Sequence, residues 1–119
     1  MALQSYKEFT VWQKAMDLTV EVYKLVKLLP KEETYALSDQ IRRAVVSIPS
    51  NIAEGQGRNH TKEFVNFLGI ARGSKSELET QLQICIRLNY FTEKDAEHAL
   101  NLCSEVGKML STLIKKIDS

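Results

Sequence analysis

Apolar residues recur every three or four positions through four separate stretches of this chain, the spacing of one helix face. The first stretch predicts a helix from about Thr10 to Leu29, with Phe9, Trp12, Met16, Thr19, Tyr23 and Val26 in step. Thr10 with Gln13 reads as a capping box, with Ser5 and Glu8 as a rival start one turn earlier. Pro30 ends the helix because the residue before a proline is pushed out of the helical region. The second stretch runs from Thr34 or Ser38 to Gly55 and turns Leu37, Ile41, Ala44 or Val45, Ile48 and Ile52 to one side. Pro49 lies inside it, where it removes one backbone hydrogen bond and crowds the Val45 carbonyl, so a kink or break is expected there. Gly55-Gln56-Gly57 reads as its stop.

The third helix is predicted from a cap at Asn59 or Thr61 to about Leu88, with Phe64, Leu68, Ala71, Lys75, Leu78, Leu82 and Cys85 inward. Asn89 is suited to the left-handed conformation that closes a helix. The fourth opens at Thr92, with Glu93, Asp95 and Glu97 matching the positive end of its dipole and Lys115 and Lys116 the negative end. Ala96, Ala99, Cys103, Val106, Leu110, Leu113 and Ile117 form its unbroken apolar series. Long helices joined by short turns pack as antiparallel neighbours. Residues 1–119 are therefore expected to form one all-α domain, an antiparallel up-down-up-down four-helix bundle whose second helix is kinked at Pro49.

Two stretches carry more apolar surface than such a bundle can hide. Eight of the twelve residues from Leu18 to Leu29 are apolar, and six of the eight from Phe64 to Ala71. A bundle helix buries about a third of its circumference. The contiguous excess predicts self-association.

Composition narrows the classes further. With 119 residues, 44% hydrophobic and 26% charged, and only five Gly and two Pro, the chain suits one globular core and not a disordered or repetitive protein. No apolar run reaches the roughly 18 residues of a membrane span. The N-terminal residues lack the pattern of a signal peptide, so the expected location is cytoplasmic and no membrane partner is expected. Cys85 and Cys103 fall on apolar stripes and read as buried fillers. A net charge of +1 supplies no global field toward nucleic acid.

Candidate chemistry is sparse. His98 follows Asp95 by three without a second copy, and His60 lies in a turn, so no metal site is expected. No nucleophile, base and orienting group converge, and no phosphate-cradling loop precedes a Lys-Ser/Thr pair; neither a catalytic residue nor a cofactor is expected. The unusual segment is Ser47-Ile-Pro49-Ser50-Asn51-Ile-Ala-Glu54-Gly55. Arg43, Ser47, Asn51, Glu54 and Arg58 form a polar stripe at helical spacing, answered on the third helix by Arg72, Ser74, Ser76 and Glu77. One reading is a buried polar layer in which Glu54 pairs with an arginine and the Ser and Asn side chains satisfy groups freed by Pro49; the other is a surface for a ligand or nucleic acid. The turn Arg58–Lys62 offers free backbone N–H groups beside two cations, a second candidate phosphate seat. Residues 58–91 hold five basic and three acidic side chains, against four and five in 92–119, so the third helix is the basic one.

The Ser47–Gly55 run, with Gln40-Ile-Arg42-Arg43-Ala44 before it and Arg58 after it, resembles the signature of the bacterial four-helix-bundle proteins encoded in intervening sequences of 23S ribosomal RNA genes. Val11-Trp-Gln-Lys-Ala15 and Phe67-Leu-Gly-Ile-Ala-Arg-Gly-Ser74 match it too, so the resemblance covers nearly the whole chain. It implies a homopentamer without established enzymatic activity. A related branch, the accessory variability proteins of diversity-generating retroelements, works with a reverse transcriptase and nucleic acid through a basic surface. The expectation is a non-enzymatic homo-oligomeric accessory to RNA or DNA, with Arg42, Arg43, Arg58, Lys62, Arg72 and Lys75 as phosphate contacts. In it Ser47, Pro49, Ser50, Asn51, Glu54 and Gly55 form an architectural motif. The alternative is a protein-interaction scaffold that touches no nucleic acid.

Overall fold

The computed structural model describes residues 5–118. Four helices account for most of them: α1 (Thr10–Val26), α2 (Leu37–Gln56), α3 (Thr61–Arg87) and α4 (Glu93–Asp118), with short 3-10 turns at Tyr6–Glu8 and Lys31–Glu33. No strand occurs among the described residues. Each helix packs against its neighbours in sequence, and α4 returns to α1, which closes a four-sided bundle within an envelope of 47 × 25 × 20 Å.

The directions of packing follow from paired contacts. Gly55 on α2 faces Phe64 and Phe67 of α3, while Ser47, two turns earlier, meets Ser74 at 2.8 Å, so α2 and α3 run antiparallel. On α3 and α4, Arg72 reaches Ser111 and Lys75 lies over Gly107, again in opposite directions. Lys14 of α1 pairs with Glu105 of α4 at 3.0 Å, and the start of α1 shares a cleft with Met109 and Leu113 near the end of α4. Three antiparallel pairs leave α1 antiparallel to α2 by closure.

The helix ends show which local signals act. Asn89 has φ 63°, the left-handed residue expected there. The Tyr90 amide donates to the Cys85 carbonyl and the Asn89 amide to that of Ile86, both at 3.0 Å, which together close α3 as a Schellman motif. At α4, the Asp95 amide donates to Thr92 Oγ1 at 3.0 Å and the Thr92 amide to Asp95 Oδ2 at 2.9 Å, a reciprocal capping box. That bond holds the Asp95 carboxyl below its ordinary range. The box expected at Thr10 does not form. Phe9 takes the cap position with no side-chain bond, and the Gln13 amide donates instead to the Lys7 carbonyl at 2.9 Å. Ser5 caps the preceding 3-10 turn. α1 stops at Val26, and Leu28 and Leu29 continue toward Pro30 through tighter bonds to the Leu25 and Val26 carbonyls. No side chain caps α3 either, since His60 holds that position.

α2 is continuous across Pro49, so the break allowed by the sequence does not occur. Pro49 is itself buried, along with Ile41, Ala44, Val45, Ile48 and Ile52. The inward sets of α3 and α4 are largely those the spacing predicts, with Leu68, Ala71, Leu78, Leu82 and Cys85 from α3 and Ala96, Ala99, Cys103, Val106 and Leu110 from α4. α1 differs. Its buried face is Val11, Ala15, Leu18, Val22, Leu25 and Val26; of the expected face Val26 is buried, Phe9, Trp12 and Thr19 are half-buried, and Met16 and Tyr23 are exposed. Two apolar stripes run along this helix, and the core takes the one whose aliphatic side chains fit against α2 and α4.

At the other corner of the fold, Tyr90 Oη donates to Glu33 Oε2 at 2.7 Å and ties the α1–α2 connection to the α3–α4 turn. The bond pushes the Tyr90 hydroxyl up to about 12. Arg42 holds the same connection by donating to the Thr34 carbonyl at 3.1 Å.

α2 ends at Gln56 with Gly57 as its cap, so the expected Gly-Gln-Gly stop acts through its second glycine, while Gly55 lies within the helix and supplies room. A Cβ there would stand 2.7 Å from Phe67 Cβ and 3.0 Å from Phe64 Cδ1. Phe67 Cβ is fixed to the α3 backbone and cannot swing aside. Gly55→Ala gains about 1 kcal/mol of helix propensity but costs about 1–3 kcal/mol in overpacking, so a net loss is expected. A fall in the urea midpoint without a change in slope measures it.

Candidate functional site

The Ser47–Gly55 segment is divided between three environments by the turn of α2. Ile48, Pro49, Ile52 and Gly55 are buried, Ser47 and Asn51 lie half-buried against α3, and Ser50 and Glu54 face outward. The polar layer at the α2–α3 seam consists of Ser47, Asn51 and Ser74. The Asn51 amide donates to the Ser47 carbonyl at 2.7 Å and to Ser47 Oγ at 2.8 Å, and Ser47 shares a hydroxyl bond with Ser74. The carbonyl that loses its partner to Pro49 is that of Val45, so this network does not serve the role expected of it. Glu54 does pair with an arginine, Arg58 at 2.9 Å, yet both side chains are about half exposed and lie outside any buried layer.

The six basic candidates scatter over the surface, and most are already engaged. Arg42 is a tie to the Thr34 carbonyl. Arg43 pairs with Asp39 at 2.9 Å. Arg58 holds Glu54 and, at 3.6 Å, Glu63, with its guanidinium 4.9 Å from the centre of the Phe67 ring. Lys62 is exposed at the start of α3. Arg42 and Arg43 line one surface hollow beside Asp39, and Arg72 and Lys75 meet in a surface groove of about 810 Å³ between α3 and α4.

That groove follows from matched spacing on the two helices. Gly69, Arg72, Gly73 and Ser76 recur at three- and four-residue steps on α3, and Ser104, Gly107, Lys108 and Ser111 do so on α4. Small side chains along both edges keep the helices from filling the space between them. Lys75 extends across Gly107, where a Cβ would come within 2.7 Å of its Cε, and its ammonium pairs with Glu79 at 3.0 Å. Arg72 donates to Ser111 Oγ at 3.3 Å. Lys108, absent from the sequence candidates, completes the cationic lining. Its signal was the helical step it shares with Ser104 and Ser111.

Reactive groups are scarce. Burial pushes the Cys85 thiol up to about 11 and that of Cys103 up to about 12, which leaves neither as a thiolate near neutral pH. His60 and His98 are exposed. Among the described residues no cluster of His, Cys, Asp or Glu could hold a metal, and no helix is long and apolar enough to cross a membrane. The groove offers electrostatic and hydrogen-bonding contacts through Arg72, Lys75, Lys108, Ser104 and Ser111.

For the outward part of the motif, Glu54→Ala is expected to change stability by less than about 0.5 kcal/mol, because an exposed i,i+4 pair contributes little. Thermal unfolding in low salt checks this.

The comparisons agree with the geometry. No curated protein matches the chain. A solved structure from Bacteroides thetaiotaomicron, described as a protein of unknown function from the S23 ribosomal protein family, superposes with a TM-score of 0.82 at 33% identity, covering 89% of this chain and 99% of that one. The family model for 23S rRNA-intervening sequence proteins matches residues 7–112, and the chain belongs to that family.

Proposed function

We propose that this chain is a non-enzymatic, self-assembling helical bundle that serves as an accessory to RNA or DNA. The observation that carries the assembly is an apolar band left on one side of the protomer. Met16, Val20 and Tyr23 share a face of α1 and are 41%, 56% and 42% exposed, and Val46 of α2, 40% exposed, lines the same surface hollow as Tyr23. Apolar side chains held at helical spacing on a rigid face suit a second copy of the same surface or of a neighbouring one. A closed ring, five-membered by the family resemblance, would cover the band in every copy. The nucleic-acid limb is supported by the cationic groove between α3 and α4, which each copy would repeat.

A scaffold without nucleic acid is the second reading. The pairing of Arg43, Arg58 and Lys75 with carboxylates favours it.

Light scattering is expected to give a particle several times the 13.6 kDa protomer. The double variant Met16→Glu/Tyr23→Glu is expected to give a monomer of unchanged helical content, since both side chains are already exposed within the protomer. A monomeric wild type removes the assembly. Titration with a structured RNA and with single-stranded DNA at two salt concentrations decides between the two readings. Binding that weakens steeply with salt supports the accessory role, and no binding at low salt leaves the scaffold.

A further inference from the structure

We propose that the groove between α3 and α4 seats a phosphodiester backbone, gripped by Arg72 and Lys108; this rests on the accessory reading above and gives it a site. Arg72 and Lys108 are uncommitted cations. Among the described residues neither has a carboxylate within ion-pair distance, and the guanidinium of Arg72 meets only the Ser111 hydroxyl at 3.3 Å. Lys14, Lys24, Arg43, Arg58 and Lys75, by contrast, are each paired. The acidic side chain in the groove, Glu79, is neutralised by Lys75, whose stem can lie where it does because residue 107 is glycine. The groove is thus left with a net positive lining.

The floor of the groove supplies an independent observation. A Cβ built on Gly69 or on Gly73 would meet nothing within 4 Å, so packing inside the protomer requires neither glycine. Each nonetheless costs helix stability relative to alanine. Gly55 shows what an internal requirement looks like, with the fixed Phe67 Cβ only 2.7 Å from where its own Cβ would stand. Two glycines one turn apart, facing open space beside two free cations, are what the close approach of an outside group needs. The hydroxyls of Ser104 and Ser111 add donors suited to phosphate oxygens. No aromatic side chain lines the groove, which excludes base stacking there and points to recognition of the backbone without regard to sequence.

Charge along the bundle agrees. Residues 5–18, 47–76 and 104–118, the half nearer the α2–α3 turn, hold nine basic and six acidic side chains. Residues 19–46 and 77–103 hold seven basic and nine acidic. Most of the groove lies in the basic half, so a polyanion is steered to it although the net charge of the whole chain is only +1.

The test is fluorescence anisotropy of a labelled polyuridine strand over a potassium chloride series, using the intact protein. Arg72→Gln and Lys108→Gln are each expected to weaken binding by about tenfold at low salt and to flatten the slope of log affinity against log salt by about 0.7 per protomer. Lys24→Gln, on the surface of α1, should leave both quantities unchanged. Gly69→Ala/Gly73→Ala should raise the melting temperature by a few degrees while reducing affinity, a pairing that misfolding cannot produce. If the wild type binds and the double variant Arg72→Gln/Lys108→Gln retains its affinity and slope, the groove assignment fails while the accessory reading stands. If the wild type does not bind at all, both fail. Displacement of the strand by inorganic phosphate at equal phosphorus concentration would reduce the groove to a small-anion site and overturn the proposal. So would a change of particle mass in the glycine or cation variants, which would assign the groove to a contact between copies.

Discussion

Phe67 leaves no space at residue 55 for more than a hydrogen atom, and that contact sets the separation of α2 and α3. The seam depends on it. Ser47 and Ser74 share a hydroxyl bond of 2.8 Å because the backbones are already close there, and Asn51 then closes the network from within α2. Phe64, the other wall at Gly55, stacks on Phe9 with ring centres 5.9 Å apart, so the same contact also places the start of α1. Arg58 lies over the outer face of Phe67 and screens it from water. A motif that looks polar in the sequence is thus built around one steric requirement, with its polar groups filling positions that the requirement brings together.

Much of this architecture was legible because helix ends and one-sided stripes are local properties. Asn89 and Thr92 each act through bonds to residues no more than five positions away, and α4 has a single apolar stripe, so its inward face could be assigned without a partner. α1 could not be assigned in that way. Val11, Ala15, Leu18, Val22 and Leu25 compete with Trp12, Met16, Tyr23 and their neighbours, and the larger aromatic side chains suggest the stripe that stays outside. The choice is made by the packing of α1 against α2 and α4, in which the small side chains of Ala15 and Val22 are fully buried. Thr10 failed as a cap for a related reason. A preceding 3-10 turn, capped by Ser5, brings the chain in so that Phe9 holds the cap position.

The candidate site was less legible because a charge in a sequence carries no record of what it pairs with. Arg43 and Arg58 looked like contacts for phosphate and are each held by a carboxylate four residues earlier, a pairing that helical spacing makes available and that could have been read in advance. Arg42 is spent on a backbone carbonyl eight residues away, which only the folded connection reveals. Lys108 was missed for the opposite reason. It lies on the most regular helix of the chain, among residues read for their apolar stripe, and its meaning depends on the register between α3 and α4. Gln81 shows the same limit within the core. It is buried with its Oε1 unpartnered and its Nε2 donating to Glu77 at 3.3 Å, and no local pattern marks it as an inward position.

Assembly and the groove are coupled by magnitude. Two cations contacting two phosphates make a weak site, because non-specific affinity scales with the number of phosphates neutralised and falls with salt for each one. A single protomer with Arg72 and Lys108 alone would release a bound strand readily under cellular salt. Copies held in a ring change this without adding a charge, since a strand engaged by one groove meets the next at a high effective concentration. The geometry required is simple. The apolar band lies on α1 and α2 and the groove on α3 and α4, so the faces proposed to join copies and to hold the strand are separate surfaces of one bundle. On the proposed reading, a chain of near-zero net charge would hold a polyanion firmly only as an assembly, and its affinity would report its oligomeric state.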